Sequence, residues 1–228
     1  NYHIPKSLIA ETPSEQRDQS KLMIYNKECN TSTHTVFSDL FKYLCNGDML
    51  ILNDTKVIPG RIYLKKQSGG IVEVLFHKKI NTNTITCIYS SSRKLSLHSK
   101  LYLNESVFFT IEKIDRNYVT LSCFNDPMSI FIKHGEVPLP KYIKRKATQN
   151  DITRYQTTYA KNPGSVAAPT AGLHFTKEIL KQLKANGVLI EYITLHVTYN
   201  TFKPIENDDY TLHDIGSEYC FINFTVGQ

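Results

Sequence analysis

The chain has 228 residues, 41 % of them hydrophobic, which allows a sizeable apolar core and excludes wholesale disorder. Lys and Arg number 27 against 21 Asp and Glu, a net charge of +6, a mild basic bias that suits a polyanionic partner without requiring one. Cys29, Cys45, Cys87, Cys123 and Cys220 are odd in number and widely spaced, with no CxxC or Cys/His cluster, so no metal site or disulfide framework is expected.

No apolar run approaches the ~18 residues of a membrane span, and the N-terminus lacks signal-peptide features. The chain opens on Asn1 without a methionine, so a few residues are expected upstream. These features suggest a reducing, cytoplasmic location.

In chain order, "DLFKYLCNGDMLILNDTKVIPG" reads as a short helix, a stop at Gly47, a buried strand at Met49–Leu52, a turn at "NDT" and a close at Pro59-Gly60. From Arg61 to about Cys123 the pattern changes to short strands: "IVEVLFH", "SVFFTIEKI", and "YVTLSC" with Val119, Leu121 and Cys123 on one face. Gly69-Gly70 and "NTNT" supply turns between them. "HGEVPLPKYIKRKATQND" reads as a proline-rich, charged crossover. A helix is predicted over Asp151–Ala160 with Asp151 as its N-cap. Another is predicted over 176–186, capped by Thr176, with Ile179, Leu180 and Leu183 on one face and Gly187 as the stop. "VLIEYITLHV" then reads as a buried strand. The predicted fold class is α/β: an α/β domain at 1–60 and 146–228, with an antiparallel β-barrel-like domain inserted at 61–145.

One loop stands out. In "GSVAAPTAGLHFTKEIL" Gly164, Ala167, Ala168, Ala171 and Gly172 carry almost no side chain just before a helix. Such a backbone suits close approach by a carboxylate or phosphate, and equally suits tight helix–sheet contact. His174 lies two residues before the expected cap, where the positive end of the helix dipole favours a neutral imidazole. His196 ends the following strand, where α/β sheets open their ligand crevice. Each histidine reads either as a proton acceptor or as a hydrogen-bonded structural residue. Asp54 and Thr55 follow a strand end but also fit an Asx turn. Arg17 and Asp18 fit either a ligand contact or an ion pair. Lys141, Lys144, Arg145 and Lys146 around Tyr142, and Arg93 with Lys94 on the β module, are either solvated charge or phosphate contacts with an aromatic stacking partner.

Five segments in order then carry a resemblance: "IAETPSEQRDQSKL", "GDMLILNDTKVIPGRI" with "GGIVEVL", "GEVPLPKYIKR", "YQTTYAKNPGSVAAPTAGLHFT" and "ITLHVTYNTFKPI". The chain to about Ile205 resembles the S-adenosylmethionine:tRNA ribosyltransferase-isomerase family of queuosine biosynthesis. The resemblance implies an α/β domain with an inserted β-barrel. It also implies transfer and isomerisation of the ribosyl moiety of S-adenosylmethionine onto a 7-aminomethyl-7-deazaguanine at the tRNA wobble position, releasing adenine and methionine. The expected partners are that tRNA and S-adenosylmethionine, with no further cofactor, no metal and a monomeric state.

On this resemblance His174 or His196 is the base, and Asp54 or Asp18 the acid that helps adenine leave. Arg17, Asp18, Thr55, Thr170, Ala171 and Gly172 hold the cosubstrate. Arg93, Lys94, Lys141, Tyr142, Lys144, Arg145 and Lys146 meet the tRNA. Thr198 and Asn200 stand where the family usually has glycines, and a further C-terminal α/β region of the family is largely missing from the sequence. A non-catalytic RNA-binding relative is the alternative. An ordinary methyltransferase ranks below both, because no early strand–glycine loop–helix fingerprint is present.

Overall fold

The computed structural model of the chain describes residues 3–140, 142–202, 205, 208–213 and 215–222. Strands β1 (Lys21–Asn26) and β2 (Thr31–Val36) form an antiparallel hairpin in register Lys21↔Val36 to Asn26↔Thr31. Phe37–Tyr43 then forms the expected short helix, wound as a 3-10 helix. Val36 offers no capping side chain there, and so short a segment does not recover the cost of helix nucleation. Next come β3 (Met49–Asn53) and β4 (Thr55–Val57).

The β module is a closed antiparallel barrel. Its strands β5 (Arg61–Lys66), β6 (Ile71–Lys79), β7 (Thr84–Ser91), β8 (Lys100–Tyr102), β9 (Phe108–Asp115) and β10 (Tyr118–Ser122) pair in the order β10-β7-β6-β5-β8-β9. Strand alternation fills it: Leu64, Val72, Val74, Ile85, Phe109, Ile111, Val119 and Leu121 are fully buried. Closure leaves this sheet no open edge to aggregate. Helix α1 (Pro127–His134) starts on Asp126, whose carboxylate accepts from Ser129 N, with Pro127 in the first turn. It brings Phe131 to 5.9 Å from Phe76 at the barrel wall.

After the crossover, α2 (Gln149–Arg154) begins on Thr148. Asp151 is therefore the third residue of a capping box and not the cap, and the helix ends well before Ala160. Strand β11 (Asn162–Ser165) runs parallel to β4. Helix α3 (Lys177–Ala185) is capped as expected, Thr176 Oγ1 accepting from Ile179 N at 3.2 Å. Its buried Ile179, Leu180 and Leu183 meet Phe37, Leu52, Val188 and Ile190 in a second core, each such side chain contributing about 1.5–3 kcal/mol.

Strand β12 (Leu189–His196) lies between β3, parallel to it, and β13 (Tyr219–Ile222), antiparallel. The sequence reading of β3 and β12 as buried strands holds for one face only. Leu52 and Ile190 are buried under α3, whereas Met49, Ile51 and Leu189 on the other face are more than half exposed. An unbroken apolar run does not record which face is covered.

Candidate functional site

The carboxyl ends of β3 and β12 meet the start of β4 and β11, and three of the predicted site residues, Asp54, Thr55 and His196, gather around that junction. Asn53 ties it together. Its side-chain carbonyl accepts from Thr55 N (3.1 Å) and Leu195 N (3.0 Å), while its amide donates to Leu195 O (2.9 Å). The "NDT" segment is thus an Asx turn that also bridges two strands.

Asp54 and Thr55 leave the turn in opposite directions. Asp54, 8 % exposed, accepts from Thr194 Oγ1 (2.6 Å) and from Asn162 Nδ2 (3.0 and 3.1 Å). It lines a cleft of about 440 Å³ with Tyr159, Lys161 and Tyr192. Thr55 is fully buried, and its hydroxyl lies 2.8 Å from His196 Nδ1.

His196 stacks on Tyr219 at 5.7 Å and lines a second cleft, of about 530 Å³, between the sheet and the barrel. Burial lowers its pKa, with Asp54 pulling the other way. Gly164 makes its place: φ is +152°, and a Cβ there would sit 2.7 Å from His196 Nε2. The glycine that close approach requires therefore faces an imidazole. A hydroxyl can donate to or accept from an imidazole nitrogen, so this contact occupies Nδ1 and leaves Nε2 as the other polar atom of the ring.

His174 is different. It ends a 3-10 turn, Thr170–His174, separated from α3 by Phe175 and Thr176, so it does not lie on the helix itself. Its Nδ1 is 3.3 Å from Arg17 O, and a carbonyl only accepts, so Nδ1 is the donor in this contact. Phe37 packs against the ring at 5.2 Å. Arg17 answers by donating to Leu173 O (3.0 Å) and Thr153 O (2.9 Å), and pairs with these carbonyls, not with Asp18. Burial, with the nearby Arg154 charge, lowers the Arg17 pKa.

Arg17, Thr170 and His174 line a third cleft, of about 370 Å³. Its roof is the segment Ala10–Ser14, held down by Arg145 Nε on Glu11 O (3.1 Å) and by Arg154 on Ser14 O and Glu15 O. Tyr155 on its wall has its pKa raised by burial to about 12, so its hydroxyl stays protonated.

The small-residue loop divides between its two readings. Ala167 and Ala168 are buried, and a Cβ on Gly172 would lie 2.3 Å from the Tyr159 hydroxyl, so these positions serve tight contact. Thr170 and Ala171 are exposed, and Thr170 reaches the third cleft. The helix that follows the loop is capped by Thr176. Asp18 lines none of the three clefts.

Of the basic candidates, Arg145 grips Asp151 through both terminal nitrogens (2.6 and 2.8 Å), which holds Asp151 well below the usual carboxylate range. Its guanidinium is therefore engaged within the chain. Tyr142 is exposed at the rim of the third cleft, Lys144 and Lys146 are exposed, and Lys141 lies outside the described residues. Arg93 and Lys94 are exposed on the barrel.

Sequence reasoning missed Arg154, which closes the roof of the third cleft, and His77, which lines the second. His77 is the extra residue of a bulge, since Phe76 pairs with Cys87 and Lys78 with Thr86. Burial, then the neighbouring Lys78, lowers its pKa. A polar residue closing "IVEVLFH" was the available signal. Among the described residues no cluster of three or more His, Cys, Asp or Glu is placed to hold a metal, and no helix is long and apolar enough to cross a membrane.

The architecture is a closed barrel set into an α/β chain, with His174 in one cleft and His196 in another. The chain belongs to the queuosine biosynthesis protein family, whose model matches residues 1–227. It is 41 % identical over 224 residues to the S-adenosylmethionine:tRNA ribosyltransferase-isomerase of Sulfurihydrogenibium sp. (strain YO3AOP1), covering 97 % of this chain and 67 % of that protein. The protein of the same name from Thermodesulfovibrio yellowstonii is 40 % identical over 228 residues, covering 99 % and 66 %. The chain thus spans about two thirds of the length of these curated relatives. The crystal structure of S-adenosylmethionine tRNA ribosyltransferase from Thermotoga maritima shares 26 % identity, over 86 % of this chain and 57 % of that one, at a TM-score of 0.36.

Proposed function

We propose that this chain carries the base and part of the cosubstrate site of a S-adenosylmethionine:tRNA ribosyltransferase-isomerase. The reaction moves the ribosyl moiety of S-adenosylmethionine onto the 7-aminomethyl-7-deazaguanine of a tRNA wobble position, with isomerisation, and releases adenine and methionine. S-Adenosylmethionine acts as cosubstrate without a further cofactor, in the cytoplasm. Family membership supports the reaction. The observation that carries the site is the His174 Nδ1 contact with Arg17 O.

A sulfonium acidifies the hydrogens on its adjacent carbons, so the first requirement is a neutral base with an open lone pair. His174 meets it at Nε2, in a cleft of about 370 Å³, within the size range of small-molecule sites. His196 has its Nδ1 occupied by the Thr55 hydroxyl and is assigned the orienting of a substrate oxygen or nitrogen through Nε2. Arg17 keeps the His174 tautomer and supplies positive charge beside the cleft, favourable for the methionine carboxylate. Tyr142, exposed at the same rim, offers a ring on which a splayed nucleobase can stack.

The test is product analysis after incubation with S-adenosylmethionine and precursor tRNA. Adenine and methionine are expected; S-adenosylhomocysteine would mean a methyltransferase, and bound RNA without either product a non-catalytic relative. His174→Gln should lower kcat by about 10²–10⁴-fold with RNA affinity kept, and His196→Gln by less. A His174→Gln protein that turns over at the full rate removes the base assignment.

A further inference from the structure

On the barrel, the end of β5 and the loop between β7 and β8 enclose a cleft of about 720 Å³ whose lining includes Lys66, Arg93, Lys94, Lys100 and His98. Among the described residues no carboxylate lines it. Among the described residues four cations elsewhere are ion-paired: Lys42–Asp39, Arg61–Glu73, Lys79–Asp126 and Arg145–Asp151. Within that same set none of the four cleft cations has an ion-pair partner. Four like charges around one hollow repel each other unless an anion sits between them.

The cleft is also braced in advance. Lys66 Nζ donates to Arg93 O (2.8 Å) and Lys94 O (3.3 Å), and Ser91 Oγ donates to Arg93 O (2.9 Å). His98 holds a left-handed backbone at φ +60°, pinned by its N–H on Ile111 O at 2.8 Å. These bonds spend backbone carbonyls and leave the exposed Arg93 and Lys94 side chains outward. Lys100 Nζ lies 4.0 Å from the Phe108 ring, and Phe108 contacts Tyr102 of the cleft wall at 5.9 Å. A preformed cationic hollow with an aromatic wall matches a sugar-phosphate backbone, with little ordering cost on binding.

We propose that this barrel cleft is a docking site for the phosphate backbone of an RNA, a contact separate from the clefts where the base chemistry is placed. The inference rests on the reading above that the substrate is a tRNA. Each phosphate contact contributes about −0.7 to −0.9 to the slope of log K against log salt. Removing two contacts therefore flattens the slope by about 1.4–1.8. If affinities converge near 1 M salt, the same loss is about 25- to 60-fold at 0.1 M.

The experiment is a salt titration of tRNA binding by fluorescence anisotropy. It compares the chain, the Arg93→Gln/Lys94→Gln double variant, and a charge-matched Lys181→Gln/Lys184→Gln control on α3. All four replaced side chains are exposed. The flattening and affinity loss are expected for the barrel variant and not for the control. Equal slopes for the barrel variant and the unmodified chain would overturn the docking site while leaving the tRNA reading intact. Equal losses in both variants would also overturn it, since the effect would then be net charge alone. An unmodified chain without salt-dependent tRNA affinity would overturn the tRNA reading and this site with it.

Discussion

Replacing Asp151 by asparagine removes one charge from a side chain that accepts four hydrogen bonds. Two come from Arg145 (2.6 and 2.8 Å) and two from Thr148, through N (2.7 Å) and Oγ1 (2.8 Å). Asparagine keeps the shape but turns one acceptor into a donor aimed at other donors. Each charge-assisted bond is worth about 1.5–3 kcal/mol, and the capping bonds of α2 about 1 kcal/mol. The Arg145 side chain is 27 % exposed, so water recovers part of the loss. The expected cost is about 3 kcal/mol at pH 7, or roughly 6–12 °C in Tm for a chain of this size.

The pH dependence provides an independent check. The Asp151 pKa is held below its unfolded value, mainly by the Arg145 hydrogen bonds. Its contribution is therefore fully present above about pH 5 and is lost as pH falls through about 4 and below. Urea titrations across that range should show a constant gap between variant and parent at neutral pH, closing on acidification. Equal stabilities at pH 7, or a gap that widens in acid, would refute the reasoning. Because Arg145 also holds Glu11 O, the variant should be cut faster by protease in the Ala10–Ser14 roof.

Gly164→Ala should lose about 2–4 kcal/mol, from backbone strain and from a Cβ driven against the His196 ring; an unchanged urea midpoint would contradict this. With a disulfide reagent under native conditions, the exposed Cys29, Cys45 and Cys220 should react quickly and Cys123 more slowly. Cys87 should react only on unfolding, because burial pushes its thiol up. Fast reaction of Cys87 would mean the barrel core opens far more readily than its closure suggests.

The local pattern of the chain was legible wherever one period decided the outcome. Val119 and Leu121 alternate into the barrel, the Ile179–Leu180–Leu183 stripe and the Thr176 cap specify α3, and the ordered motifs carry the family. Where two signals competed, the sequence reading went astray. Asp151 is a good cap by residue type, but Thr148 holds that position and Asp151 turns to Arg145. The alanines at 167 and 168 suit a ligand cradle or tight contact equally, and the fold uses them for contact.

The amino-acid order by itself thus determined which side chains turn inward, where α3 starts, and to which family the chain belongs. These depend on neighbours a few positions away. Only the tertiary structure decided how the candidate residues are divided among clefts, and which group faces the Nδ1 of His174 and of His196. Thr55 meets His196 across 141 positions and Arg17 meets His174 across 157. Hydrogen-bond partners so distant in the chain leave no periodic trace, yet they set which ring nitrogen of each imidazole is engaged and which is left for chemistry.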